Sequence, residues 1–103
     1  MLMKTDRLNA LTIDVEDYFQ VSALAPYIRR SDWDRCECRV ERNVDRILQM
    51  LADEGAQATF FTLGWIAERY PAMVRRIVDQ GHELASHGYG HQRASDLDEP
   101  ALF

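Results

Sequence analysis

Ala58-Thr59-Phe60-Phe61-Thr62-Leu63-Gly64 is the stretch on which the reading of this 103-residue chain turns. Threonine and phenylalanine crowd it, charge is absent, and a glycine ends it, the marks of a strand buried inside a sheet. On its N-terminal side, Val40, Val44, Ile47, Leu48 and Leu51 fall at i, i+4, i+7, i+8 and i+11, so residues 39–54 make a helix with one apolar stripe. Gly55 supplies that helix with a left-handed stop. On its C-terminal side, residues 65–70 read as a short helical segment. Pro71 reads as the first residue of the next helix, whose apolar face is Met73, Val74, Ile77 and Val78 and which Gly81 closes.

Two outer segments complete the pattern. Leu8-Asn9-Ala10-Leu11-Thr12-Ile13-Asp14 is apolar at nearly every position and runs into a cluster of acids. It predicts a strand buried on both faces that delivers carboxylates at its C-terminal end. His82-Glu83-Leu84-Ala85-Ser86 is short and mixed, but its place after a helix makes it a third strand. Strand, helix, strand, helix, strand is the order of an α/β fold with parallel strands and right-handed crossovers. Working residues in such sheets gather at the carboxyl ends of the strands, so Asp14 and His87 are expected on one rim. Residues 15–38, with Tyr18, Phe19, Pro26, Tyr27 and Trp33, show no clear period and predict a long loop with one helical turn, walling or covering a site. A further helix is expected to begin at Ser95, with Asp98-Glu99-Pro100 behind it.

Composition narrows the function classes. The length suits one domain, residues 1–103, or a piece of one, and an apolar fraction of 47% can fill a core. A net charge of -5 with acids and bases interspersed argues against a nucleic-acid partner. Met1-Leu2-Met3-Lys4-Thr5-Asp6-Arg7 precedes only a short apolar run, neither a secretory signal nor a membrane span, so a cytoplasmic chain is expected. Cys36 and Cys38 are too close in sequence for a comfortable disulfide and lack a second pair to complete a metal site; they read as reduced thiols.

Chemistry concentrates in two places. In Ser86-His87-Gly88-Tyr89-Gly90-His91, two imidazoles four residues apart sit among small residues, and a helical turn would project both from one face. In Thr12-Ile13-Asp14-Val15-Glu16-Asp17, three acids fall within four residues, an arrangement that a solvated turn would also explain. Together they offer one carboxylate and two imidazoles, the three-ligand set of a catalytic zinc that leaves a fourth position open, with a second carboxylate as base.

These motifs carry a resemblance. Thr12-Ile13-Asp14-Val15-Glu16-Asp17-Tyr18-Phe19, then Ala58 through Trp65, then Gly81 through His91 resemble the opening of the polysaccharide deacetylases, the NodB-homology carbohydrate esterases. The Asp14-to-Phe19 spelling resembles the branch associated with exosortase and exopolysaccharide clusters. The resemblance covers residues 8–91 and implies the N-terminal part of a distorted (β/α) barrel. It implies Asp14 as catalytic base and His87 and His91 as metal ligands, with Ser86 and Gly88 as small neighbours. The acidic ligand is Glu16 or Asp17, because the family's usual pair is adjacent Asp-Asp whereas here the acids are spaced; Glu16 is preferred. His82 is expected to make an ordinary hydrogen bond.

The implied cofactor is a divalent metal, zinc first, with cobalt, nickel or iron also suited to the ligands. The implied partner is an N-acetylated polysaccharide or oligosaccharide. The family's general-acid His and base-orienting Arg come from later strands, outside this sequence. A closed barrel needs about 200 residues or more, so this chain is expected to be an incomplete domain, weak or inactive alone, with a sheet edge open to self-association. The competing readings are a non-catalytic metal- or glycan-binding fragment, with Tyr18, Phe19, Trp33 and Tyr89 as aromatic platforms, and a purely structural α/β piece.

Overall fold

The computed structural model describes residues 10–91. Strands β1 (Thr12–Val15), β2 (Thr59–Thr62) and β3 (Glu83–Ser86) form a parallel sheet in the order β1-β2-β3. Helix α1 (Val40–Glu54) crosses from β1 to β2, and α2 (Gly64–Arg69) with α3 (Pro71–Asp79) crosses from β2 to β3. The helix expected at Ser95 lies outside the described residues.

The apolar stripe of α1 is buried as its spacing requires, at Val40, Val44, Leu48 and Leu51. These side chains join Phe60 of β2 and Met73 and Ile77 of α3 in one core. Burying each large side chain contributes roughly 1.5–3 kcal/mol, so this cluster is what presses the helices onto the sheet. On α3 the buried face is narrower than the four residues expected: Val78 is 49% exposed, while Tyr70, just before the helix, packs against the core instead.

Two expectations are corrected. β1 is not buried on both faces: Thr12 and Asp14 are exposed, and only the alternate positions Ile13 and Val15 reach the core. The reason is that the helices pack on the face of Ile13, Val15 and Phe60, while the face bearing Thr12 and Asp14 is left uncovered among the described residues. Residues 15–38 are not a loop with a single turn. They form three 3-10 turns, Tyr18–Gln20, Ser22–Leu24 and Arg30–Arg35, whose i→i+3 bonds leave no 3.6-residue period to read. Phe19 and Trp33 from these turns are buried against Trp65 of α2, with ring centroids 5.3–5.7 Å apart. They are core residues, not open platforms; Tyr18 and Tyr89 are exposed.

Asp17 ties this segment down. Its carboxylate accepts from Tyr18 N at 2.9 Å, and then from Arg39 N at 2.6 Å and Val40 N at 3.0 Å. The last two are free donors at the start of α1, a terminus that Arg39 itself does not cap. One buried acid thus caps a 3-10 turn and a helix more than twenty residues away, using the attraction of negative charge to a helix N-terminus. Replacing Asp17 with Ala leaves these donors unpaired, and urea unfolding is expected to show a loss of about 2–3 kcal/mol.

Tyr70 gives the fold a signature in alkali. A hydrogen bond with Cys38, then burial, then the neighbouring Cys38, Glu41 and Asp17 charges push its phenol up from 10.0 to about 12. Between those values the folded chain keeps a proton that the unfolded chain has lost. Stability should therefore fall as pH rises from 10 toward 12. Denaturant titrations across that window should show a shallower fall in the Tyr70→Phe variant.

Candidate metal centre

The strand register sets the site. Val15, Thr62 and Ser86 lie side by side as the last residues of the three strands. The next residues along, Glu16, Leu63 and His87, therefore leave the sheet at one level, and Asp14 stands two residues before Glu16 on the same alternating side. Backbone bonds continue the register past the strand ends, from Leu63 N to Val15 O at 3.3 Å and from His87 N to Thr62 O at 3.1 Å.

Glu16 Oε2 lies 3.0 Å from His91 Nε2 and 3.4 Å from His87 Nε2, and the two imidazole centroids are 4.9 Å apart. One donor atom from each residue fits within a span of 4.8 Å. Asp14 Oδ2 stands 4.0 Å from His87 Nε2 on a carboxylate that is 57% exposed. Asp17, the alternative acidic ligand, is already committed to backbone donors and takes no part in this cluster.

The cluster fits a cation. Glu16 Oε2, His87 Nε2 and His91 Nδ1 are buried without a hydrogen-bond partner. Leaving such groups unpaired costs about 1–3 kcal/mol each, and a neutral imidazole lone pair facing a carboxylate oxygen repels it unless something positive lies between. Separations of 3.0 and 3.4 Å are those that bonds of about 2 Å to a shared ion produce. One carboxylate oxygen and two imidazole nitrogens suit zinc, cobalt, nickel or iron.

The histidine pair is not carried by a helical turn, contrary to the simplest reading of its spacing. It sits on a bent loop in which Gly88 has φ 79° and His91 φ 61°. What shapes the loop is the start of α2. Gly64 N donates to Gly88 O at 2.8 Å and Trp65 N donates to Tyr89 O at 3.0 Å, so two helix-terminal donors are satisfied by the loop that bears the ligands. The approach is close: a Cβ on Gly64 would stand 2.7 Å from Tyr89 Cδ1, so a larger residue requires the exposed Tyr89 ring to shift. Sequence reasoning used Gly64 only as a strand boundary and missed this close approach; the sole hint was a glycine at the first position of a helix.

His82, the remaining histidine of the described residues, is buried at the opposite end of β3. Its Nδ1 accepts from Ala58 N at 3.1 Å, the ordinary hydrogen bond expected of it.

Comparison with known proteins bears on the family and the fold. A family model described as polysaccharide deacetylase matches residues 31–102. A peptidoglycan-N-acetylglucosamine deacetylase of Bacillus cereus is 39% identical over 54 residues, 52% of this chain and 20% of the relative. A chitooligosaccharide deacetylase of Sinorhizobium fredii is 44% identical over 45 residues, 44% of this chain and 21% of the relative. The chain thus spans about a fifth of the length of these relatives. The crystal structure of a peptidoglycan N-acetylglucosamine deacetylase superposes with a TM-score of 0.59 at 28% identity, covering 88% of this chain and 32% of that one.

The clasp at Gly64 is open to a double-mutant cycle. Gly64→Ala should destabilise the chain by about 1–3 kcal/mol, as overpacking does, and most of that loss should vanish when Tyr89→Ala is the background. Equal losses in both backgrounds would show that the methyl group meets something other than the Tyr89 ring.

Proposed function

The chain belongs to the polysaccharide deacetylase family, and on that premise we propose that its rim is the metal-and-base half of an active site removing N-acetyl groups from a glycan. The observation that carries the proposal is the convergence of Glu16 Oε2, His87 Nε2 and His91 Nε2, the first two buried without a hydrogen-bond partner, beside the exposed carboxylate of Asp14. The relatives that bear the family's activity in their names act on peptidoglycan and chitooligosaccharides, both N-acetylated glycans. The Asp14-Val15-Glu16-Asp17-Tyr18-Phe19 spelling resembles the branch associated with exopolysaccharide clusters, and that resemblance is what supports a link to exopolysaccharide.

Glu16, His87 and His91 would hold a divalent ion, zinc first. When bound, that ion supplies Lewis acidity toward an amide carbonyl and makes water easier to deprotonate. Amide hydrolysis joins the oxygen of water to the acyl carbon and breaks the C–N bond, releasing acetate and an amine. The water's proton needs a base, and Asp14 is placed to take it at a carboxylate oxygen open to solvent. Asp14 Oδ2 lies 4.0 Å from His87 Nε2, so the base stands beside the ligand cluster.

The leaving nitrogen must also gain a proton. Among the described residues no third imidazole reaches this rim, since His82 is buried at the far end of β3 with its Nδ1 engaged. We therefore expect the isolated chain to bind metal and to release acetate slowly. Elemental analysis after zinc loading should find one metal ion per chain, lost in His87→Ala and in His91→Ala. Asp14→Asn should keep the metal and lower acetate release from an N-acetylated oligosaccharide by about a hundredfold or more. Stoichiometric metal with no difference between the wild type and Asp14→Asn would favour a non-catalytic binding fragment; absence of metal would overturn the reading.

A further inference from the structure

A cleft of about 400 Å³ opens beside His91, between the 3-10 turns and the histidine loop. Phe19 and Ile28 give it apolar lining, and its polar lining includes Gln20, Arg30, Trp33 and His91. No acidic side chain borders it among the described residues. The volume lies within the roughly 300–1,000 Å³ of small-ligand sites.

Its polar groups are donors that lack acceptors. Gln20 is 3% exposed, and its Oε1 accepts from Asp17 N at 2.7 Å, which fixes the orientation of the amide. Gln20 Nε2 is left buried and unpartnered, as is Trp33 Nε1 on a residue 6% exposed. Arg30 makes no ion pair among the described residues. Its guanidinium carbon instead lies 5.4 Å from the Trp33 ring centroid and 5.1 Å from that of Tyr89. It is also pressed against the histidine loop, where a Cβ on Gly90 would stand 2.9 Å from Arg30 Nη1. The planar fork thus stacks against two aromatic rings, on an exposed residue with no acidic partner among the described residues, at the mouth of a cleft that opens beside His91.

We propose that this cleft is a subsite for a carboxylate-bearing sugar, a neighbour in the glycan of the N-acetylated residue at the metal centre. Arg30 pairs with the carboxylate, and the apolar lining takes the ring. A planar two-oxygen anion suits a guanidinium fork better than a neutral hydroxyl does, because the paired bonds are charge-assisted. The carboxylate could belong to a uronic acid or to a lactyl ether, and the assignment rests on the reading of the adjacent centre as the place where a glycan binds.

The test is calorimetric titration of the zinc-loaded chain with three disaccharides: N-acetylglucosaminyl-N-acetylmuramic acid, N-acetylglucosaminyl-glucuronic acid and neutral diacetylchitobiose. At least one acidic disaccharide should bind about tenfold or more tightly than the neutral one, and the tighter of the two names the source of the carboxylate. That preference should shrink as sodium chloride is raised, a measurement that needs no variant. Arg30→Gln should bring the acidic ligand down to the level of the neutral one, while Arg30→Lys should keep part of the advantage. Equal affinity for all three disaccharides, or a preference untouched by salt and by Arg30→Gln, would overturn the proposal. Acetate release is scored separately, so a binding preference without hydrolysis supports the subsite and strikes only the deacetylase reading.

Discussion

The arrangement of the rim depends on two hydrogen bonds at the start of α2, from Gly64 N to Gly88 O and from Trp65 N to Tyr89 O. A helix must find partners for its first donors, and here the chain supplies them from a loop that begins more than twenty residues later. That requirement, together with the missing Cβ at Gly64, brings the end of β3 and the end of β2 to a common height. His87 and His91 then face Glu16 because the backbone between them has been bent to satisfy α2, not because their spacing describes a helical face.

The three acids at the C-terminal end of β1 divide their work by the alternation of an extended chain. Asp14 and Glu16, two residues apart, share a side and meet the histidines; Asp17 falls on the other and is buried under α1. The buried acid fixes the segment from which Glu16 projects, so a residue with no place in the ligand cluster governs the position of one that has. Gln20 extends the same linkage: its side-chain carbonyl oxygen accepts from Asp17 N, and the residue borders the cleft beside His91.

Much of this could be read from the amino acids because it rests on local periodicity. The stripe of α1, the proline that starts α3, the aromatic strand β2 and the expected rim of Asp14 and His87 all follow from spacing along a few turns or residues. What escaped reading rests on contacts distant in sequence. The choice between Glu16 and Asp17 is made by donors at Arg39 and Val40, which nothing near the acids announces. Residues 15–38 pack through 3-10 turns that have no amphipathic period, so Phe19 and Trp33 looked available when they are core. The exposed face of β1 is not legible either, because an apolar run does not say whether one face of a strand is covered or both.

His91 holds a backbone angle, φ 61°, that side chains with a Cβ avoid and glycine adopts freely. The residue that places a nitrogen 3.0 Å from Glu16 is therefore not the one this turn would choose on conformational grounds. Under mutation without selection for the site, this position would drift downhill, toward residues that fold more comfortably and bind nothing. The cost of that angle falls at the place in the loop where the His91 imidazole meets the carboxylate of Glu16.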